Sequence, residues 1–375
     1  MLVAFAAIAC GRESFAPLPP SAPSLRVSRV WRMTMPGVTD LNSYSRGVLT
    51  ASDFHFVTPD GVLLAVSRTT GAVKWSTRGP RSSPKGLLAT GGLIVYPGVS
   101  VAGFEPSDGS TRWTLPVASS VSNCDASSTS STLVTCSPDW NVTAVDATSG
   151  AVRWSVSLRD SLNGLPTLVG TVISGDTVYA AVKQVYSTSV GFAQAMVFAL
   201  SLHDGRVLSL VREGDYTDFT GYVGTPIVVG RILVIPHLIN NKLTGIDRFT
   251  GRVAWRVIGD AGWIGFVSIP TVVNGVLYAA SADRRVYAVE VATGAIIWKS
   301  EVLEGSQELA AACGNVVVTW TGLNIRVLDR ATGRYLGIIN DDMPDLPYNI
   351  TSPPLTDGNE LFVRSQKEYR KYICE

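Results

Sequence analysis

The chain has 375 residues, of which 46% are hydrophobic and only 16% are charged. Its 31 basic and 30 acidic residues leave a net charge of +1, so the composition favours neither nucleic acid nor an anionic membrane surface as a partner. We find no apolar run of about 18 or more residues that could span a bilayer as a helix. Val, Thr, Ser and Gly are abundant, which favours strands and turns.

The amino terminus is apolar from Met1 to Ala9 and is followed by Cys10. Small residues before a cysteine resemble a bacterial lipoprotein signal, although no Lys or Arg precedes them and nine residues are few for a signal. We therefore predict a signal remnant over residues 1–9, acylation of Cys10 and a Pro/Ser-rich tether over residues 10–24. The alternatives are a start site upstream or a buried strand with an incidental cysteine. The resemblance implies a periplasmic lipoprotein anchored to the outer membrane.

A turn motif recurs seven times along the rest of the chain, at intervals of 38 to 55 residues. In five copies a Trp stands four residues after the turn glycine, and an acidic residue commonly stands four before it. The five pairs are Gly71 and Trp75, Gly109 and Trp113, Gly150 and Trp154, Gly251 and Trp255, and Gly294 and Trp298. Gly205 and Gly333 mark the other two turns, with Ser209 and Gly337 in place of Trp.

Each copy of the motif predicts a β-hairpin. Alternating apolar residues form one strand, the glycine supplies the positive φ of the turn, and a second strand follows. The acidic residue can accept hydrogen bonds from turn amides, and the Trp can wedge against the next repeat while its N–H finds an acceptor. A further strand pair precedes each hairpin, so the unit has four strands in about 40 to 45 residues. Such a unit is typical of a propeller blade.

The blade count depends on the two ends of the chain. After Gly333 the sequence holds three more strands, and the segment around Trp31 can supply a fourth. Closing a ring with strands from both ends leaves no open sheet edge. Residues 25–375 then give about 44 residues a blade. We predict an all-β propeller with eight blades over residues 25–375, with seven blades as the alternative.

The repeats resemble the PQQ-like (pyrroloquinoline-quinone-like) propeller repeat, and the match is clearest at Ala144-Val-Asp146-Ala-Thr-Ser-Gly150-Ala-Val-Arg-Trp154. An eight-bladed ring of this length behind a lipobox is most similar to the BamB family, lipoproteins of the outer-membrane β-barrel assembly machinery. That resemblance implies a non-catalytic, monomeric scaffold that binds the barrel-inserting subunit and needs no cofactor. The fourth repeat departs from the pattern, and residues 183–195 are interpreted as an insertion between its strands.

The sequence offers little for catalysis. PQQ-dependent dehydrogenases share the repeat, but they resemble a longer chain and often carry adjacent cysteines, which are absent here. The three histidines, His55, His203 and His237, do not have metal-ligand spacing. The acidic stretch around Asp341 lacks the alternating oxygens of a calcium loop and is interpreted as a solvated connection. We therefore predict no catalytic residues and no metal.

Of the five cysteines, Cys124 and Cys136 lie on either side of a Ser/Thr-rich turn, where a hairpin would bring them together. A disulfide between them is predicted, with buried free thiols as the alternative. The pairing of Cys313 and Cys374, in neighbouring blades, stays open.

Aromatic residues in connecting loops are the candidates for a partner-contact patch: Trp263, Tyr216 and Phe219. Structural packing is an equal alternative for each of them. Two rival functions remain beside the scaffold, a sensor or ligand-binding propeller and a PQQ-dependent dehydrogenase.

Overall fold

The structure, a computed structural model, describes residues 25–35, 45–58, 60–80, 86–98, 100–116, 124–137, 139–159, 165–185, 193–213, 223–237, 241–260, 265–266, 270–303, 309–321, 324–339, 354–364 and 368–375. Within these residues 32 strands form eight four-stranded antiparallel sheets. The predicted eight-bladed all-β propeller is confirmed, and the seven-blade alternative is wrong. Among the described residues, no helix is long and apolar enough to cross a bilayer.

We number the blades 1 to 8 by the order of their turns, with blade 8 holding both ends of the chain. The strands of blades 1 to 4 are β2 (Val48–Leu49), β3 (Asp53–Val57), β4 (Val62–Ser67), β5 (Val73–Arg78), β6 (Leu88–Thr90), β7 (Leu93–Pro97), β8 (Ser100–Phe104), β9 (Thr111–Pro116), β10 (Ser127–Ser128), β11 (Thr132–Cys136), β12 (Asn141–Asp146), β13 (Val152–Ser157), β14 (Leu165–Ser174), β15 (Thr177–Val185), β16 (Ala193–Ser201) and β17 (Val207–Glu213).

The strands of blades 5 to 8 are β18 (Ile227–Val229), β19 (Ile232–Pro236), β20 (Lys242–Asp247), β21 (Val253–Ile258), β22 (Thr271–Val273), β23 (Val276–Ala280), β24 (Val286–Glu290), β25 (Ile296–Lys299), β26 (Leu309–Cys313), β27 (Val316–Thr321), β28 (Asn324–Asp329), β29 (Tyr335–Ile339), β30 (Leu355–Asp357), β31 (Glu360–Arg364), β32 (Glu368–Cys374) and β1 (Val27–Thr34).

Burial explains the pattern of each blade. The second strand is buried on both faces, as in β7, where all five residues from Leu93 to Pro97 are buried. A continuous apolar run suits such a position, because both faces pack against neighbouring blades. The outer strand is mostly exposed, and in β13 only Trp154 is fully buried. The hydrophobic core therefore lies between the blades, as a series of layers around the ring.

The turn between the third and fourth strands is built as the motif predicts. In blade 3 the Gly150 amide donates to the Asp146 carbonyl at 2.9 Å, and Gly150 has a φ of 75°. The Asp146 carboxylate accepts from the amides of Thr148 and Ser149 at 3.1 and 2.9 Å. Arg153 reaches the same carboxylate at 2.7 Å, and these bonds hold the pKa of Asp146 well below its usual range.

Blade 8 closes the ring with both ends of the chain. Strand β1 pairs antiparallel with β32, from Val27 opposite Cys374 to Thr34 opposite Glu368. Strand β1 is therefore the outer strand of a blade whose other three strands are carboxy-terminal. Trp31 takes the position that the outer-strand Trp holds in five of the other blades.

Blade 4 is long because its strands are long. Strands β14, β15 and β16 have ten, nine and nine residues, whereas the corresponding strands elsewhere have two to seven. The interpretation of residues 183–195 as an insertion between strands is corrected here, because residues 183–185 and 193–195 belong to β15 and β16 and pair with each other. Residues 186–192 lie outside the described residues.

Candidate functional site

The same packing arrangement recurs at the junctions between neighbouring blades. At a junction sealed in this way, the outer-strand Trp of one blade packs over the turn of the next. In blade 5 the Trp255 indole donates to the Val291 carbonyl of blade 6 at 2.8 Å. The ring covers the turn glycine of blade 6 so closely that a Cβ on Gly294 would lie 2.5 Å from Trp255 Cγ. Glycine is thus required twice, by the positive φ and by the ring above it.

Six junctions share this arrangement, in which the acceptor is always the carbonyl three residues before the next turn glycine. The six donor–acceptor pairs are Trp31 to Arg68, Trp75 to Pro106, Trp113 to Ala147, Trp154 to Leu202, Trp255 to Val291 and Trp298 to Arg330. Apart from Gly251, the repeat glycines and tryptophans singled out in the sequence are therefore engaged in packing of the ring.

The junction from blade 7 to blade 8 lacks the Trp and is closed by the ends of the chain. A Cβ on Gly337 would lie 3.1 Å from Leu25 Cδ1, so Leu25 covers the position of the missing ring. A disulfide joins Cys313 of blade 7 to Cys374 of blade 8, with their Cα atoms 5.7 Å apart. The pairing that the sequence left open is thus a cross-link between blades.

The junction from blade 4 to blade 5 also lacks the Trp, and among the described residues no side chain of similar size replaces it. Ser209 stands at the Trp position and is exposed. Across from it, Gly251 keeps the left-handed conformation with a φ of 69°. Among the described atoms, only Val211 Cγ2 lies within 4 Å of where a Cβ on Gly251 would be, at 3.4 Å.

A buried charge cluster holds this junction together. The Glu213 carboxylate of blade 4 lies 2.8 Å from His237 Nε2 and 3.1 Å from Lys242 Nζ, both in blade 5. Thr244 donates to it at 2.9 Å, and Arg256 lies 3.4 Å away. Burial alone would raise the pKa of Glu213, but the hydrogen bond and charge of His237 and the charge of Lys242 hold it well below its usual range.

The three histidines have different surroundings, and the structure does not bring them together in one site. His55 is fully buried beside the Trp75 ring, and burial lowers its pKa to about 4 despite the opposing charge of Asp53. His203 lies on the surface 3.6 Å from Asp176. No group of three potential metal ligands occurs among the described residues. The acidic stretch around Asp341 lies outside the described residues.

The remaining predicted site residues divide into two groups. Cys124 and Cys136 are joined by a disulfide within blade 3, with their Cα atoms 5.9 Å apart. Cys10 and the three loop aromatics, Trp263, Tyr216 and Phe219, lie outside the described residues. Acylation and a contact patch at those positions stay predictions.

Sequence reasoning missed an aromatic residue on the blade 5 turn. Phe249 is 67% exposed, and its ring faces the guanidinium carbons of Arg248 at 4.6 Å and Arg231 at 5.5 Å. The signal was present in the alignment of turns, because the other six carry small residues or histidine at this position: Thr69, Ser107, Thr148, His203, Ala292 and Ala331.

Comparison with known proteins places the chain in a family. The family model described as outer membrane protein assembly factor BamB matches residues 28–257 and 138–371. The chain belongs to the BamB family. It is 26% identical over 224 residues to the outer membrane protein assembly factor BamB of Yersinia pestis, a match that covers 54% of each chain. The match thus spans about half the length of that relative.

Solved structures show the same fold at low identity. BamB from Moraxella catarrhalis superposes with a TM-score of 0.68 at 16% identity, covering 92% of this chain and 97% of that one. The quinohemoprotein alcohol dehydrogenase from Comamonas testosteroni gives 0.67 at 12% identity, covering 94% and 77%. A BamB-family propeller and a quinohemoprotein thus share the ring, so the fold alone does not assign a function.

Proposed function

We propose that the chain is a non-catalytic, monomeric scaffold that holds a protein partner during assembly of outer-membrane β-barrel proteins. Membership of the BamB family carries this proposal, since the relatives it matches are named as outer membrane protein assembly factors. The partner would be a subunit of that machinery, the barrel-inserting subunit in the first place.

The arrangement of the polar side chains supports a scaffold. His237 and Glu213 are buried in a junction between blades, and His55 is buried beside Trp75. The turn carboxylates are engaged by the amides of their own turns, as Asp146 is. These groups stabilise the ring, whereas a general acid or base must reach a substrate.

Capture from membranes tests the proposal. A chain tagged at its carboxyl end is expected to retain the barrel-assembly subunit from detergent-solubilised membranes of its native host. A strain lacking the gene should carry fewer folded outer-membrane β-barrels, measured by heat-modifiable gel mobility. Recovery of no assembly subunit, with normal barrel levels in the deletion strain, would refute the scaffold.

Anchoring is a separate part of the proposal. We infer that Cys10 is acylated and that residues 10–24 tether the propeller to the periplasmic face of the outer membrane. Metabolic labelling with a clickable palmitate should mark the wild-type chain but not Cys10→Ser. An unlabelled wild-type chain in the soluble periplasmic fraction would contradict the anchor and leave the scaffold standing.

The likeness to quinohemoprotein structures makes the enzyme a second candidate. Reconstitution with PQQ and calcium should then give dye-linked oxidation of alcohols or sugars. The scaffold proposal expects no oxidation above that of a PQQ solution alone. Both disulfides of the described residues join cysteines that are not adjacent in sequence, whereas the dehydrogenases often carry adjacent cysteines.

A further inference from the structure

The missing Trp at the junction of blades 4 and 5 leaves a gap on the outer rim. We call this gap the rim slot and define it by Ser209, Val211, the Arg248 carbonyl and Gly251. We propose that the rim slot binds an aromatic side chain, Trp above all, presented by an acidic segment of a partner protein. The inference rests on the proposed scaffold function for the existence of that partner, and it adds the partner's recognition chemistry.

The receiving side of the rim slot is intact. Gly251 has a φ of 69° against 75° for Gly294, and its amide donates to the Asp247 carbonyl at 2.8 Å as in the sealed turns. The Asp247 carboxylate accepts from the amides of Phe249 and Thr250 at 3.0 Å. Blade 5 therefore presents the same turn that six other blades place beneath an indole.

The donating side of the rim slot is open. Ser209 pairs with Ala199 in the register in which Trp255 pairs with Gly245, so its side chain occupies the Trp position. Ser209 is exposed, whereas Trp255 is 8% exposed. Among the described side chains none donates a hydrogen bond to the Arg248 carbonyl, the counterpart of the Val291 carbonyl that receives Trp255. Within the part of the chain that the structure describes, both the space and the acceptor for an indole remain available.

Apolar surface surrounds the opening. Leu208 and Val207, beside Ser209 on the outer strand, are 46% and 41% exposed, and Phe249 on the opposite turn is 67% exposed. A ring entering between them would remove apolar area from both sides at once, and aromatic rings gain further from edge or offset contact with Phe249. Ile296 and Ile297 are equally exposed at the same positions of blade 6, so Phe249 is the apolar residue that distinguishes this opening.

The charges on the turns of blade 5 indicate which residues of the partner would flank the bound aromatic side chain. On the turns of blade 5, Arg231 and Arg248 lie over the Phe249 ring and Arg252 follows on the same turn, and Asp247 supplies the one carboxylate of residues 230–231 and 247–252. Three arginines against one aspartate leave an excess of two positive charges. Carboxylates beside the incoming aromatic residue would pair with this excess, so an acidic segment fits and a basic one is repelled.

A matched pair of variants tests the rim slot. Ser209→Trp supplies the chain's own indole and closes the slot, whereas Ser209→Ala leaves it open. The probe is the capped peptide Glu-Glu-Trp-Glu-Glu, with Ala in place of Trp, or Lys in place of Glu, as controls. Binding is followed by the amide NMR shifts of Gly251 in selectively glycine-labelled protein.

We expect a Kd on the order of 1 mM for the wild type, because one buried side chain must offset the loss of motional freedom on binding. Ser209→Ala should bind equally. Ser209→Trp and both control peptides should bind at least about tenfold more weakly. No shift at Gly251 up to several times that concentration, or equal binding by Ser209→Trp, would overturn the inference.

Other occupants of the rim slot give distinct results. If another segment of this chain fills it, Ser209→Trp should destabilise the fold by displacing that segment, and this outcome overturns the inference. If a second copy fills it, sedimentation should show dimers that Ser209→Trp dissociates, which also overturns it. If Ser209→Trp retains the assembly subunit as well as the wild type does, the partner binds elsewhere. This outcome overturns the inference but leaves the proposed scaffold function standing.

Discussion

Two junctions of the ring lack the sealing Trp, and they are closed in different ways. Between blades 7 and 8, Leu25 covers Gly337 and the Cys313–Cys374 disulfide joins the blades. Between blades 4 and 5, the buried Glu213 carboxylate is shared by His237 and Lys242, and no ring among the described residues covers Gly251 on the outer rim. At the junction of blades 7 and 8, Leu25 takes the place of the Trp ring and the disulfide links the two blades. At the junction of blades 4 and 5, the Glu213 contacts link the blades, but no described side chain takes the place of the ring.

The two junctions differ because only one of the two following blades keeps the turn that an outer-strand Trp would cover. Blade 8 has no turn between its last two strands, because the chain ends take its place and the Glu375 amide donates to the Arg26 carbonyl at 2.8 Å. A Trp in blade 7 would have no turn glycine to cover. Blade 5 keeps its turn at Gly251, so at that junction only the donor is lost. The loss of the Trp therefore leaves a turn glycine without a covering ring only at the junction of blades 4 and 5, among the described residues.

The largest expected effect lies at a sealed junction. Trp255→Ala removes a buried ring and its bond to Val291, and should lower the free energy of unfolding by about 4 to 5 kcal/mol. Ser209→Ala, the matched change at the open junction, should alter it by less than about 0.5 kcal/mol. Urea unfolding followed by Trp fluorescence and circular dichroism measures both. Similar losses in the two variants would show that the slot is not open.

Removing the inter-blade disulfide is expected to cost slightly less. The Cys313–Cys374 bond closes a loop with a sequence separation of 61, and the double variant Cys313→Ala/Cys374→Ala should lose about 4 kcal/mol by chain entropy. Cys124→Ala/Cys136→Ala, with a separation of 12, should lose about 3 kcal/mol. Hydrogen exchange should rise in β1 and β30 to β32 only for the first variant. Equal exchange in both would contradict a role in ring closure.

The Glu213 cluster should contribute about 3 kcal/mol, since Glu213→Gln leaves Lys242 and His237 without their counter-charge. The pKa of Glu213 is lowered on folding, so its contribution is complete above the usual glutamate pKa of about 4.3 and is lost as the pH falls below it. The stability gap between wild type and Glu213→Gln should therefore narrow from pH 6 to about pH 3.

Titration of unfolding midpoints against pH measures this gap. Glu301→Gln, at an exposed carboxylate, is the control and should change stability by less than about 0.5 kcal/mol. A gap that stays constant over this pH range would mean that Glu213 does not hold the junction through its charge.

Much of the ring could be predicted because its information is local and repeated. The turn motif specifies a hairpin through the φ of one glycine, and the period specifies a four-stranded unit. The same pattern identified Trp31, near the amino terminus, as a further outer-strand Trp. The structure places Trp31 against Gly71, where a Cβ on the glycine would lie 2.8 Å from the Trp31 ring. Because the motif is repeated, the residue at each position can be compared with its counterparts in the other copies of the motif.

The exceptions could not be predicted, because they depend on contacts between segments that share no pattern. Leu25 meets Gly337 across the whole length of the chain, and Glu213 meets His237 across a blade boundary. Neither residue type identifies its partner in the sequence. Ser209 was visible as a departure from the repeat, but only the structure shows that, among the described residues, no ring covers Gly251 across from it.

The smallest difference in stability is expected between alanine substitutions at two turn glycines, one covered by a Trp ring and the other not. Gly251 and Gly294 have φ values of 69° and 75°, so alanine at either meets the same left-handed strain of about 1 to 2 kcal/mol. At Gly294 the new Cβ would also lie 2.5 Å from Trp255 Cγ, which should add about 2 kcal/mol of overpacking. At Gly251 the nearest atom would be 3.4 Å away, an ordinary contact. Gly294→Ala should therefore unfold at clearly lower urea concentration than Gly251→Ala. In a Ser209→Trp background the two losses should become equal, since the added indole would cover Gly251 as Trp255 covers Gly294; losses that stay unequal would mean that the slot does not accept a ring.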